Sequence, residues 1–195
     1  MSHAETMRVF QRACVRAGVR VSYSQGFNPH QRMSLVLPRS VGVESEDELL
    51  CLWLEEGQVD IDAESLKKET PKGIEIVSVE ISRGKKIPEP VAASYVIKVK
   101  EQGKATQVKS AIDNLSVKDE IPVERRINEG PRVKIVDVRP FLKSIRTQES
   151  DIIVDCAISP NGTIRIDEIL GLLRLGVEDL EGPVVRESVQ YTDKY

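Results

Sequence analysis

Tyr23-Ser24-Gln25-Gly26-Phe27-Asn28-Pro29-His30 gathers two aromatic rings, two amides, a glycine, a proline and an imidazole into one break between strand-like runs. Gly26 can take positive φ, and Pro29 biases Asn28 toward extended backbone, so the spacing predicts Phe27 and His30 held outward with little freedom. An outward ring at position 27 would stack on a base or another planar group. Gln25, Asn28 and His30 would supply hydrogen bonds beside it. Single-stranded RNA is read in this way, by stacking plus exposed base edges. The plainer reading has Phe27 tucked into the core and Asn28-Pro29 merely turning the chain.

Arginines surround this stretch. Arg8, Arg12 and Arg16 recur at four-residue spacing, which puts them on one helix face with no acids at helical spacing to offset their repulsion. Arg20 and Arg32 extend the cations toward the loop. Residues 1–40 hold six arginines and one acid, a local charge of +5; the whole chain is −3, so residues 41–195 carry −8. A charge split of this kind favours an anionic partner at the basic end, each phosphate contact steepening the salt dependence of binding. A solvated helix face is the alternative. Arg125, Arg126, Arg132 and Lys134 form a second, diluted patch that reads as solvated surface. The only histidines are His3 and His30. Close together, they could run acid–base cleavage of RNA, but His3 falls at a helix start and nothing in the sequence fixes their separation. No spacing of acids or cysteines completes a metal site around them.

The elements that must position these residues follow from periodicity. Residues 2–17 read as a helix: Ser2 and Glu5 fit a capping box, Gly18 fits the position past the C-terminal end, and Met7, Phe10, Cys14 and Ala17 form the apolar stripe. The period then changes to two over Val19–Tyr23 and again over Met33–Leu37. Leu49–Leu54 and Ile74–Ile81 read as further strands. Asp62 caps a short helix to Thr70, and Lys85–Pro90 reads as a linker. The second half repeats the order: strand Tyr95–Lys100, helix Ala105–Leu115, a hairpin of Ile121–Arg126 and Arg132–Val138 across Asn128-Glu129-Gly130-Pro131, an irregular stretch Pro140–Ser150, strand Asp151–Ser159, a turn at Pro160-Asn161-Gly162, helix Ile166–Leu175 and strand Val184–Tyr191. The expected fold is α+β, with two tandem ferredoxin-like (split β-α-β) units at 1–84 and 91–195. The first unit starts on its helix and so lacks its opening strand.

Composition narrows the classes. Hydrophobic residues make up 40 % and charged ones 30 %, and no apolar run approaches the roughly 18–20 residues of a membrane-spanning helix. No signal pattern opens the chain. Cys14, Cys51 and Cys156 are distant from one another, odd in number and set in apolar patterns, which points to buried thiols in a reducing cytoplasm. Cys51 and Trp53 read as core, and Asp167-Glu168 as acids complementing the last helix's dipole. No phosphate-binding glycine loop, nucleophile elbow or zinc spacing is present.

Ser2-His3, Met7-Arg8-Val9-Phe10, Ala17-Gly18, the run Tyr23–His30, Leu37-Pro38 and Val41-Gly42-Val43-Glu44-Ser45 together resemble the radical-SAM-linked protein family. Val123-Glu124-Arg125-Arg126 and Asp137-Val138-Arg139-Pro140 resemble its central segment, so the likeness covers nearly the whole chain. The family is a bacterial domain of unknown function, found beside or fused to cobalamin-binding radical SAM proteins. Its members usually begin with a further basic strand, where this chain starts at Met1-Ser2-His3, and their central hairpin is usually richer in lysine. This chain lacks the three-cysteine cluster of a radical SAM enzyme. The resemblance implies a partner radical SAM protein, not an activity.

These readings lead to one expectation. The chain is a non-catalytic accessory module, with no cofactor of its own, that holds RNA (transfer RNA is one candidate) through Arg8, Arg12, Arg16, Arg20, Gln25, Phe27, Asn28, His30 and Arg32. A protein-docking adaptor for the radical SAM enzyme is the alternative. A metal-independent endoribonuclease using His3 and His30 is the third reading, since the tandem layout also looks like that of CRISPR repeat-processing nucleases.

Overall fold

A computed structural model describes the chain except residues 84–85, 101–103, 127–131, 150 and 193–195. The fold is α+β, and the chain divides into two compact units. One comprises Met1–Val41 with Glu48–Pro88; the other comprises Gly42–Asp47 with Glu89–Tyr195. Residues 42–47 belong with the second unit although they precede residues 48–88 of the first.

The first unit opens on α1 (His3–Arg16), and both ends follow from the sequence. The Ser2 hydroxyl accepts from the Glu5 N–H, while the Ser2 N–H donates to the Glu5 carboxylate at 2.7 Å. This reciprocal box satisfies orphan donors of the first turn and holds the Glu5 carboxyl below its ordinary pKa. At the other end Gly18 takes φ +72°. Its N–H reaches the Val15 carbonyl at 3.2 Å and the Val19 N–H reaches that of Cys14 at 2.9 Å, a Schellman closure. Ala13 and Cys14 are fully buried against Val19, Val21 and Leu66, and that burial pushes the Cys14 thiol up to about 11.

The strands of this unit are β1 (Met33–Leu35) and β3 (Leu50–Leu52), paired antiparallel. The register continues past β1: Met33 faces Leu52 and, on the same line, Val21 bridges Leu54. Residues 19–22 and β1 thus lie end to end along one edge of the 50–54 segment. Everything from Tyr23 to Gln31 leaves that line and returns to it. The short α2 (Ala63–Lys68) is capped by Asp62, whose Oδ1 accepts from the Glu64 and Ser65 N–H groups at 3.1 Å each.

Ile74–Ile81 is not the strand its alternation predicts. It has no regular secondary structure, and its only backbone hydrogen bond among the described residues is Ile74 N–H to the Pro71 carbonyl at 3.1 Å. Ile76 and Val79 pack on the unit's core, but no neighbouring strand pairs with the backbone among the described residues. The first unit accordingly shows no split β-α-β sheet among those residues.

The second unit is built on five strands in the order β2-β9-β4-β8-β7. These are β2 (Val43–Ser45), β4 (Pro90–Lys98), β7 (Leu142–Gln148), β8 (Asp151–Ala157) and β9 (Val184–Tyr191). β2 runs parallel to β9 and all other neighbours are antiparallel. Helices α3 (Ala105–Ser116) and α4 (Ile166–Leu173) cover one face. Ile97, Ile152, Val154, Ile169 and Leu173 are sealed between sheet and helices, with Cys156 among them and its thiol pushed up to about 12 by burial first and Asp155 second. Arg186 is also sealed, 1 % exposed, with its Nε donating to the Ser45 hydroxyl of β2 at 3.2 Å.

Residues 140–149 correct the sequence reading, and Ser150 lies outside the described residues. A 3-10 turn at Arg139–Phe141 leads into β7, an edge strand of mixed polar composition that the sequence pattern reads as irregular. The expected hairpin is present as β5 (Pro122–Arg126) against β6 (Val133–Asp137). Its turn, 127–131, lies outside the described residues, as does Lys85 at the start of the linker. Among the described residues no helix is long and apolar enough to cross a membrane.

Candidate nucleic-acid interface

The Tyr23–Gln31 excursion has a rigid base. Three backbone bonds form a closed cycle: Ser22 N–H to Trp53 O at 2.7 Å, Trp53 N–H to Arg32 O at 3.1 Å, and Arg32 N–H to Ser22 O at 2.7 Å. Just above it Tyr23 bridges Gln31, the Ser24 N–H reaches the His30 carbonyl at 2.8 Å, and the His30 N–H donates to the Ser24 hydroxyl at 3.0 Å. Loop closure is therefore complete by residue 30, and Gln25 to Pro29 form the tip. Gly26 holds φ +128° there, and an added Cβ would meet nothing within 4 Å. Glycine is needed at that site for its backbone conformation and not for space.

The tip faces water. Phe27 is 112 % exposed, more open than in an extended peptide, and Tyr23 is 51 % exposed. Gln25, Asn28, Pro29 and His30 are also exposed. An apolar ring in this position gains nothing from the fold, since burying a phenylalanine is worth roughly 1.5–3 kcal/mol that the folded chain forgoes.

The arginines separate into three kinds. Arg8, Arg12 and Arg20 are exposed and have no ion pair among the described residues, although Arg8 lies near enough to Glu5 to help keep that carboxyl ionised. Arg16 is exposed but tied down: its Nε pairs with the Glu69 carboxylate and its Nη2 donates to the Glu69 carbonyl at 2.9 Å, closing the end of α2. The arginine row is thus not uniformly unpaired, because an acid fifty-three residues away reaches it. Arg32 stacks on the Trp53 ring, 5.1 Å from its centroid, so its guanidinium is oriented before anything binds. Cys51 and Trp53 are half-buried and not core residues, a consequence of the thin sheet they sit in.

His3 and His30 are both exposed, and no hydrogen bond joins them among the described residues. Nor, among the described residues, do three or more His, Cys, Asp or Glu side chains gather where they could hold a metal ion.

The second basic patch is structural at Arg125. Arg125 donates to Glu168 through Nε at 2.7 Å and Nη2 at 2.9 Å, and to the Thr163 carbonyl at 2.7 Å. Glu168 also accepts the Arg165 N–H at 2.8 Å, which makes it the third residue of α4 and its cap partner. Burial raises the Glu168 carboxyl, and the Arg125 and Arg165 hydrogen bonds outweigh it, leaving it below the ordinary range. Arg126, Arg132 and Lys134 remain exposed.

Two features escaped the sequence reading. Tyr23 stands out as a second exposed ring at the foot of the loop, although it continues the alternation of the buried Val19 and Val21. On the face of the second unit's sheet opposite its helices, Asp155 accepts from Ser94 at 2.8 Å, Ser144 at 2.6 Å and Arg146 at 2.6 Å. The strand period could have revealed that cluster had β7 been recognised.

Fold and site together define an α+β protein that displays a pinned aromatic loop in the same unit as arginines without an ion pair among the described residues. The chain belongs to the family described as an uncharacterized protein conserved in bacteria (DUF2344), whose profile matches residues 1–167. No curated protein and no solved structure matches it.

Proposed function

We propose that the first unit binds single-stranded RNA as an accessory module to a partner enzyme, the radical SAM protein suggested by the sequence resemblance. The observation that carries this reading is Phe27, an apolar ring fully in water at the tip of a loop whose base is locked by hydrogen bonds. A fold gains nothing by holding a phenylalanine there, whereas a stacked base gains roughly 1–3 kcal/mol. Arg8, Arg12 and Arg20 supply phosphate contacts, Arg32 on Trp53 offers a planar cation held in place, and Gln25, Asn28 and His30 offer hydrogen bonds to base edges. The second unit serves as scaffold. We read it as ferredoxin-like, since β4-α3-β7 and β8-α4-β9 interleave in the order β9-β4-β8-β7.

The test is binding of a labelled single-stranded RNA across a salt series. Affinity should fall steeply with salt. Replacing Arg8, Arg12 and Arg20 together by Ala should flatten the slope by about 2, at about 0.7 per phosphate contact on single strands. Salt-insensitive binding, or a slope unchanged in the triple variant, would sink the proposal.

A further inference from the structure

Where a guanidinium of this chain is held in place, oxygen atoms hold it, with one exception among the described residues. Arg16 is held by Glu69, Arg125 by Glu168 and Arg146 by Asp155, and Arg139 by two backbone carbonyls. Arg32 is held by a ring instead, 5.1 Å from the Trp53 centroid. That contact draws on the cation's charge and leaves its N–H donors without an acceptor among those residues.

The strand register places this fork. Val21, Met33, Leu52 and Leu54 line the unit's core with α1 and α2, so by the period of two Arg32 and Trp53 stand on the opposite face of the same segments. His30, flanking Gln31 on the other side, shares the Arg32 face of the loop's base. The Arg32 backbone is tied twice, its N–H to the Ser22 carbonyl and its own carbonyl to the Trp53 N–H. Backbone and side chain are therefore both pinned. By contrast, no ion pair or ring contact orients the guanidinium of Arg8, Arg12 or Arg20 among the described residues.

The difference separates two tasks. Attracting phosphates needs charge, and the freely placed arginines supply it. A pinned fork suits a fixed pair of acceptors lying in one plane. Bases stacked on side chains such as Phe27 and Tyr23 expose their edges beside the ring. Guanine carries such a pair, O6 and N7, side by side on one edge, and arginine donating to both is the commonest specific base contact. Adenine and uracil set a donor beside each acceptor.

We infer that the first unit selects guanine, the Arg32 fork donating to O6 and N7 of a guanine next to the base stacked on Phe27. Trp53 is the positioning residue. This rests on the reading of the unit as a single-stranded RNA binder and adds to it which base is chosen.

The probes are oligouridylates of about seven residues with guanine, inosine, 7-deazaguanine or cytosine at the centre, titrated onto the full chain. Guanine and inosine share O6 and N7 and should bind alike. Both should bind roughly 5- to 150-fold more tightly than plain oligouridylate, and at least about fivefold more tightly than 7-deazaguanine, which lacks N7. Arg32→Lys keeps the charge but loses the fork, and should bring all probes within about twofold of one another. Equal affinity for guanine and 7-deazaguanine would overturn the inference and leave RNA binding standing. So would a preference for cytosine, whose N3 and O2 also form an acceptor pair, or a guanine preference that survives in Arg32→Lys. Binding of no probe even at low salt would remove the underlying reading, and this inference with it.

Discussion

Phe27 and Arg16 carry opposite lessons about single side chains. Both were read from the sequence as binding residues. Phe27 points wholly into water, but Arg16 spends its guanidinium on Glu69. The ring's exposure was half legible: Gly26 and Asn28-Pro29 announced a turn, but a turn can carry its aromatic inward or outward. Arg16's partner was not legible, because Glu69 is remote in sequence and only the packing of α2 beside α1 brings it near. Since Phe27 touches no core, Phe27→Ala should leave the urea midpoint unchanged. It should weaken RNA binding roughly 5- to 150-fold, the equivalent of about 1–3 kcal/mol for one stacked base. A drop in stability with unchanged binding would mean that the ring serves the fold.

At the level of elements, legibility followed how local the determinants are. α1 was readable at both ends because Ser2, Glu5 and Gly18 act within a turn of their own positions. β7 was missed because Lys143, Ser144, Arg146 and Gln148 dilute the apolar alternation of an edge strand. Ile74–Ile81 failed in the other direction: its residues favour a strand, but a strand is defined by its neighbour, and propensity alone supplies none. β2 pairs with β9, some 140 residues onward, so no local pattern could disclose it. The Arg125–Glu168 pair shows such distant determinants at work, joining the β5–β6 hairpin to the start of α4. The Glu168 side chain is only 8 % exposed. Glu168→Ala removes a charge-assisted fork and a helix cap together, and should cost about 2–3 kcal/mol in urea unfolding. A loss below about 0.5 kcal/mol, the usual size for a surface change, would reduce the pair to decoration.

For the whole molecule, the split of +5 against −8 along the chain has an acid counterpart in stability. Asp155, Glu168, Asp179 and Asp137 all sit below their ordinary values of 3.8 or 4.5. Lys104 is the first cause at Asp179, and the Ile121 N–H the first at Asp137; at Asp155 burial opposes the shift and three hydrogen bonds overcome it. A depressed carboxyl means that the unfolded chain takes up protons first as pH falls. Its contribution is therefore complete above the ordinary carboxylate range and drains away as pH drops through the lower folded values. Urea midpoints should hold steady from neutrality to about pH 5 and fall below about pH 4. Asp155→Asn should start lower and fall less; a midpoint that rises on acidification would reverse the sign.

The route of residues 42–47 governs how this protein can be taken apart. Because β2 lies within the stretch that precedes the linker yet belongs to the later unit's sheet, the polypeptide is interlaced like a stitch through cloth. A protease nick within residues 86–88 would cut one crossing and leave the other two, at 41/42 and 47/48, intact. The two fragments should elute as one species under native conditions and part only in denaturant. No single pair of primers therefore excises either half in its entirety, and evolution's usual traffic in detachable parts would have to move this chain as a piece.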